Sequence, residues 1–179
     1  MATSGMEIVN PRTGQRVRFV DTAHDSQGAL VGLECVSSPS SEREPEHLHP
    51  YQENIFEVHS GQLRFKIGDG ERLLGAGERL VIPPAVPHCF WVEGVEEARY
   101  RQEFRPALQI ERFFEVLFGL AREDKLNARG MPPFLMLGVF GQAFWDEVRV
   151  TQPPAWVQRL TYAALAPIGR VCGYRLPAA

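Results

Sequence analysis

Residues 45–61 read Pro45-Glu46-His47-Leu48-His49-Pro50-Tyr51-Gln52-Glu53-Asn54-Ile55-Phe56-Glu57-Val58-His59-Ser60-Gly61. His47 and His49 are two residues apart, and on an extended strand that spacing turns both imidazoles to one face. Pro50 interrupts the run, a second strand-like stretch follows, and Gly61 offers a place for a hairpin to close. Two imidazoles side by side are part of a transition-metal site, which needs a third ligand and usually a fourth. About forty residues on, Gly77-Glu78-Arg79-Leu80-Val81-Ile82-Pro83-Pro84-Ala85-Val86-Pro87-His88 offers His88 as the third.

Together these stretches resemble the two motifs of the cupin family, in its cupin-2 conserved-barrel type. The first motif reads G-x5-H-x-H-x3,4-E-x6-G and is matched by His47, His49 and Gly61. The second reads G-x5-P-x-G-x2-H-x3-N and is matched by Gly77, Pro83 and His88. The resemblance covers roughly residues 28 to 105. It implies a mainly β fold, a double-stranded β-helix or jelly-roll barrel. It also implies one divalent transition metal (iron, manganese, nickel, copper or zinc) held by His47, His49 and His88. Three positions depart from the pattern: Asn54 stands where the first motif has glutamate, Ala85 replaces the second motif's glycine, and Val92 its terminal asparagine.

Strand parity bears on the missing carboxylate. Asn54, Phe56 and Val58 share one face of the strand, and Glu53, Ile55, Glu57 and His59 the other. The first face is the more apolar and is expected to face the barrel interior. Asn54 then occupies the ligand position, as an amide-oxygen ligand, as a hydrogen-bonding neighbour of a ligand, or as a plain replacement. A bulge near Pro50 would reverse the parity and bring in Glu53 instead.

The chain has 179 residues, enough for one domain or one domain with an appendage. A net charge of −3 argues against nucleic acid as the main partner. The charge is uneven. Residues 1–106 carry 11 basic and 16 acidic side chains and residues 107–179 carry 8 and 6, with no acid after Glu147. Cys35, Cys89 and Cys172 form no pairing pattern and read as reduced thiols of a cytoplasmic protein. No stretch is apolar for the length that a bilayer requires.

Alternating strands recur through the first part. Leu63, Phe65 and Ile67 alternate with polar residues, Gly68-Asp69-Gly70 is a hairpin turn, and Tyr100, Gln102 and Phe104 alternate with Arg101, Glu103 and Arg105. After Pro106 the period becomes helical. One helix is expected from Leu108 to about Asn127 with Gly130 as its stop, a second from Pro132 through Phe144 to Val148, and a third from Pro153-Pro154 through a kink at Pro167. The expected domains are therefore a barrel at 1–106 and a helical extension at 107–179, packed on the barrel or on a partner subunit. A subset of bacterial cupin-barrel proteins with such a tail is similar in architecture.

The expected function is a metal-dependent enzyme acting on a small, partly apolar organic molecule. Dioxygenase and non-redox isomerase, lyase or cyclase chemistry stay open. The pocket is expected to be lined by Asn54, Phe56, Phe90, Tyr100 and Gln102. Glu53 and Tyr100 are the candidates for acid–base work. The alternative is a non-catalytic barrel that binds a small molecule and uses its tail to dimerise or to touch a membrane. A homodimer is expected, with the helices as a lid or interface. An acid-free segment carrying Arg149, Arg159, Arg170, Arg175 and Trp156 would also suit a peripheral membrane contact.

Overall fold

The computed structural model describes residues 2–40, 43–127 and 130–176. Eleven strands are found among the described residues. They are β1 (Glu7–Val9), β2 (Arg16–Asp21), β3 (Val31–Ser37), β4 (His47–Leu48), β5 (Glu53–Ser60), β6 (Leu63–Ile67), β7 (Gly70–Leu74), β8 (Arg79–Ile82), β9 (His88–Val92), β10 (Ala98–Arg105) and β11 (Arg149–Val150). All pair antiparallel, in sheets ordered β1-β2-β3-β10-β5-β8 and β11-β4-β9-β6-β7.

The alternation that marks these strands in the sequence decides what they bury. On β10, Ala98, Tyr100, Gln102 and Phe104 point inward and are buried. Arg101 on the outer face meets Asp21 at 2.6 Å and Glu103 at 2.9 Å. Phe19, Leu33, Phe56, Leu63, Phe65 and Ile82 fill the space between the sheets. Phe56, Phe65 and Phe90 pack ring on ring at 4.8 to 5.5 Å between centroids. These contacts close the barrel below the histidines with an aromatic floor.

Three helices follow: α1 (Ile110–Arg122), α2 (Phe134–Ala143) and α3 (Ala155–Val171). They are stacked outward in layers. Ala107, Ile110 and Phe118 belong to the barrel's own core, so the chain on either side of residue 106 shares one packed interior. On its other side α1 packs Val116 and Leu120 against Met136, Phe140 and Phe144 of the α2 segment. Helix α3 lies against α2 through glycines. A Cβ at Gly169 would sit 2.7 Å from Leu135 O, and one at Gly138 would sit 2.9 Å from Ala166 N.

Two helix ends differ from the periodic reading. Helix α1 stops at Arg122 rather than near Asn127. Asp124 takes a left-handed backbone (φ 52), with Lys125 N donating to Leu120 O at 2.9 Å and Asp124 N to Ala121 O at 3.2 Å. That is a Schellman closure, which ends a helix whatever the apolar pattern beyond it. Helix α2 stops at Ala143, and Val148 leads instead into β11, whose Arg149 and Val150 pair with Leu48 and His47. The reason is tertiary: β4 has a free edge on that side, and the chain after α2 supplies the missing ladder. Helix α3 runs on through Pro167 to Val171.

Candidate metal centre

His47 and His88 face each other across the β4–β9 ladder, and His49 follows one residue after β4. The three ring centroids lie 4.6 to 5.5 Å apart, and one ligating atom from each falls within 4.8 Å of the others. His88 and His49 are buried at 1% and 4% exposure, while His47 keeps part of its surface at the mouth.

The backbone decides which nitrogen each ring presents. His47 Nδ1 lies 3.0 Å from Pro45 O, His88 Nδ1 2.9 Å from Val86 O, and His49 Nδ1 2.8 Å from Glu147 O. A carbonyl oxygen only accepts, so each Nδ1 must donate. In the neutral ring the lone pair is then on Nε2. Burial lowers the pKa of His47. Burial, and then the neighbouring His47, lower that of His88 to about 4. Burial with both neighbouring rings holds His49 well below the ordinary value of 6.5. All three rings are therefore uncharged near neutrality, the state in which imidazole binds a metal.

Asn54 is 1% exposed on the inner face of β5, as its parity predicts. Its Nδ2 points at His88 Nε2 across 3.3 Å, and its Oδ1 accepts from Gln102 Nε2 at 3.0 Å. The two amides form a directional chain that ends on the cluster. An amide's two ends are nearly alike in shape, so the assignment follows the hydrogen-bond partners. Turning both amides over keeps the Asn54–Gln102 bond and presents Oδ1 to the histidines instead of Nδ2. The donor set thus fits a transition metal: three imidazole nitrogens converge, and a fourth polar group beside them can reverse its polarity.

The remaining sequence candidates are placed as follows. Glu53 is exposed on the outer face of β5, paired across the sheet with Arg105, and stands outside the histidine cluster. No bulge reverses the β5 parity at that point, so Asn54 and not Glu53 points inward. Tyr100 is fully buried, but Gln15 Nε2 donates to its hydroxyl at 3.1 Å and Ser37 Oγ lies 3.0 Å away. Burial raises its pKa well above 10, so as a phenol it is a poor acid near neutrality. Phe56 and Phe90 pack in the floor with Tyr100, and Phe104 sets its ring edge-on to His49 at 5.1 Å.

Two residues at the site were not singled out in the sequence. Glu147 holds His49 through its backbone oxygen, and its side-chain Oε1 accepts from Gln109 N at 3.0 Å. Nothing in residues 144–148 signals this, because a backbone carbonyl carries no side-chain signature. Burial pushes the Glu147 carboxyl up to about 7. Glu44 accepts from Phe90 N at 3.3 Å beside His88, with its chain exposed at the barrel mouth. Loss of water around the carboxyl raises its pKa. Its place three residues before the His-x-His pair was the available signal.

A family model for the cupin domain matches residues 35–101. Among solved structures, an RmlC-like cupin from Shewanella frigidimarina is 17% identical over 62% of this chain and 93% of its own, with a TM-score of 0.50. KdgF from a Halomonas species is 16% identical over 55% and 85%, with a TM-score of 0.48. An uncharacterized double-stranded β-helix protein from Klebsiella pneumoniae is 19% identical over 60% and 79%, at 0.44. No curated protein matches the chain. Two antiparallel sheets, paired histidine motifs at the expected spacing and the matching domain model agree: residues 35–101 of this chain form a cupin domain.

Proposed function

We propose that this chain is a metal-dependent enzyme that transforms a small, partly apolar organic molecule at the mouth of the barrel. The observation that carries the reading is the shared backbone anchoring of the three Nδ1 atoms, which leaves three neutral Nε2 atoms converging. A divalent transition metal bound there would act as a Lewis acid on an oxygen of the substrate. His47, His49 and His88 would hold it, and Asn54 would turn its amide oxygen inward while Gln102 keeps that orientation. With an amide in place of a carboxylate the centre is one unit more positive, which favours non-redox isomerase, lyase or cyclase chemistry over oxygen-dependent cleavage. Phe104 and Phe90 give the apolar wall that a partly apolar substrate requires. Glu44, close to His88 and open to solvent, is the group best placed to exchange a proton with the substrate.

The second reading is a barrel that binds a small molecule without chemistry. It draws on the Asn54 Nδ2 donor aimed at His88, which satisfies a buried neutral imidazole with no metal. The deciding measurement is elemental analysis of protein purified without tag or chelator. The enzyme reading expects about one equivalent of iron, manganese, nickel, copper or zinc per chain. It expects His49→Ala to lose that metal with the fold retained, and Asn54→Glu to tighten binding by about tenfold or more. Wild-type metal content in His49→Ala would overturn the ligand assignment. No metal, and no uptake of any of these ions, would leave the binding reading.

A further inference from the structure

Helix α3 is the outermost layer of the molecule. The face it turns to α2 carries Gln158, Ala166 and Gly169, which are buried. Its large apolar side chains lie on the opposite face. Trp156 is 68% exposed, Leu160 65%, Ile168 51% and Val171 89%. At 3.6 residues per turn these positions, with Ala164, form one continuous stripe along the helix. Helices α2 and α3 run antiparallel, with Leu135 beside Gly169, so Phe134, 65% exposed, extends the same end of the hairpin. Large apolar residues on a monomer's surface are ordinary when scattered; a contiguous row of them marks a docking surface.

The charges beside the stripe say what docks. Arg159 and Arg170 lie along one edge of it, and both are exposed, as is Arg175 just beyond the helix. Arg170 donates to a neutral partner, Gln142 Oε1, at 2.7 Å. No acid follows Glu147 in the chain. A second copy of the chain is a poor occupant: antiparallel two-fold pairing of the stripes sets one arginine edge on the other, with no carboxylate on α3 to neutralise them. An anionic lipid surface matches both features, since it accepts the apolar stripe at its acyl boundary and the arginines among its headgroups. At 17 residues α3 is suited to lie in that plane, and among the described residues no helix is long and apolar enough to cross a membrane.

We infer that the outward face of α3 is a docking surface for anionic membranes, which would place the barrel as a peripheral protein at a lipid surface. The test is co-sedimentation of the full chain with vesicles of phosphatidylcholine containing a quarter phosphatidylglycerol, with light scattering of the free protein alongside. Binding to these vesicles, little binding to pure phosphatidylcholine and release by salt are expected. The double variant Leu160→Gln/Ile168→Gln should lose binding, and Arg159→Gln should weaken it by about fivefold. All three positions are exposed, so an unchanged melting temperature shows that the fold survives. Absence of binding to the anionic vesicles overturns the inference, as does binding that the double variant leaves intact. A dimer in free solution that the double variant splits also overturns it, by giving the stripe to a second copy.

Discussion

Ala85 stands where the cupin pattern has glycine, and its backbone shows why glycine is usual there. Its φ is 63, in the left-handed region that a Cβ disfavours by about 1–2 kcal/mol. The conformation is held because Ala85 N donates to His49 O at 2.8 Å, tying the second motif to the first beside the histidine cluster. Ala85→Gly relieves the strain but loosens the unfolded chain by about 0.4–1 kcal/mol. The balance predicts a gain of about 0.5 kcal/mol, or roughly 1–2 °C in Tm by thermal denaturation. A loss instead would mean that the backbone there is not strained. The histidines supply a second prediction at this scale. Their pKa values in the folded chain are lowered from 6.5, that of His88 to about 4. Between those values each of these rings binds more protons in the unfolded chain than in the folded one, so the histidine contribution to stability is full above about pH 6.5 and falls as the pH drops. His88 alone costs about 2 kcal/mol between neutrality and pH 5, at ~1.4 kcal/mol per pH unit. Glu147, raised to about 7, works in the opposite direction over the same interval, so the histidine contribution is read by difference: in chelator-treated protein, going from pH 7 to pH 5 should cost the wild type several degrees of Tm relative to His88→Phe, and an equal change in both would show a ring open to water.

At the scale of elements, the strands were the most legible part. Leu63, Phe65 and Ile67, or Tyr100, Gln102 and Phe104, alternate with polar residues because one face of each strand meets the core and the other meets water. The helices were legible in number and less so at their ends. The stripe Trp156, Leu160, Ile168 and Val171 has the spacing of a packing face, yet α3 packs on α2 through Tyr162, Leu165, Ala166 and Gly169 instead. Gly138, Gly141 and Gly169 let α2 and α3 approach so closely that backbone and ring atoms fill the space a Cβ would take. Gly138→Ala would place its Cβ against Leu165 Cβ and 2.9 Å from Ala166 N. The helices would have to part, at a cost of about 1–3 kcal/mol, although alanine is the better helix former. A Tm equal to wild type would mean that the hairpin is free to spread.

At the scale of the whole molecule, the helical extension is built into the barrel. Ala107, Ile110 and Phe118 lie in the barrel core, Gln52 Nε2 donates to Pro106 O and Ala107 O at 3.0 and 3.1 Å, and β11 completes the edge of β4. A chain cut after Pro106 is therefore expected to lose near-ultraviolet circular dichroism and a cooperative melt. A cooperative melt close to that of the full chain would show that residues 1–106 stand alone. The same integration reaches the candidate centre, since Glu147 from the extension orients His49.

The sequence by itself determined the barrel and the three histidines and favoured Asn54 over Glu53 as the inward residue, because strand period and motif spacing are local properties that one chain carries in order. Tertiary structure alone decided which nitrogen each histidine presents and that Gln102 steers Asn54. It also decided that β11 and Glu147 return to the centre and that the apolar stripe of α3 faces outward. Those outcomes depend on carbonyls, free edges and close approaches between residues far apart in the chain, and none of them leaves a pattern in the order of side chains.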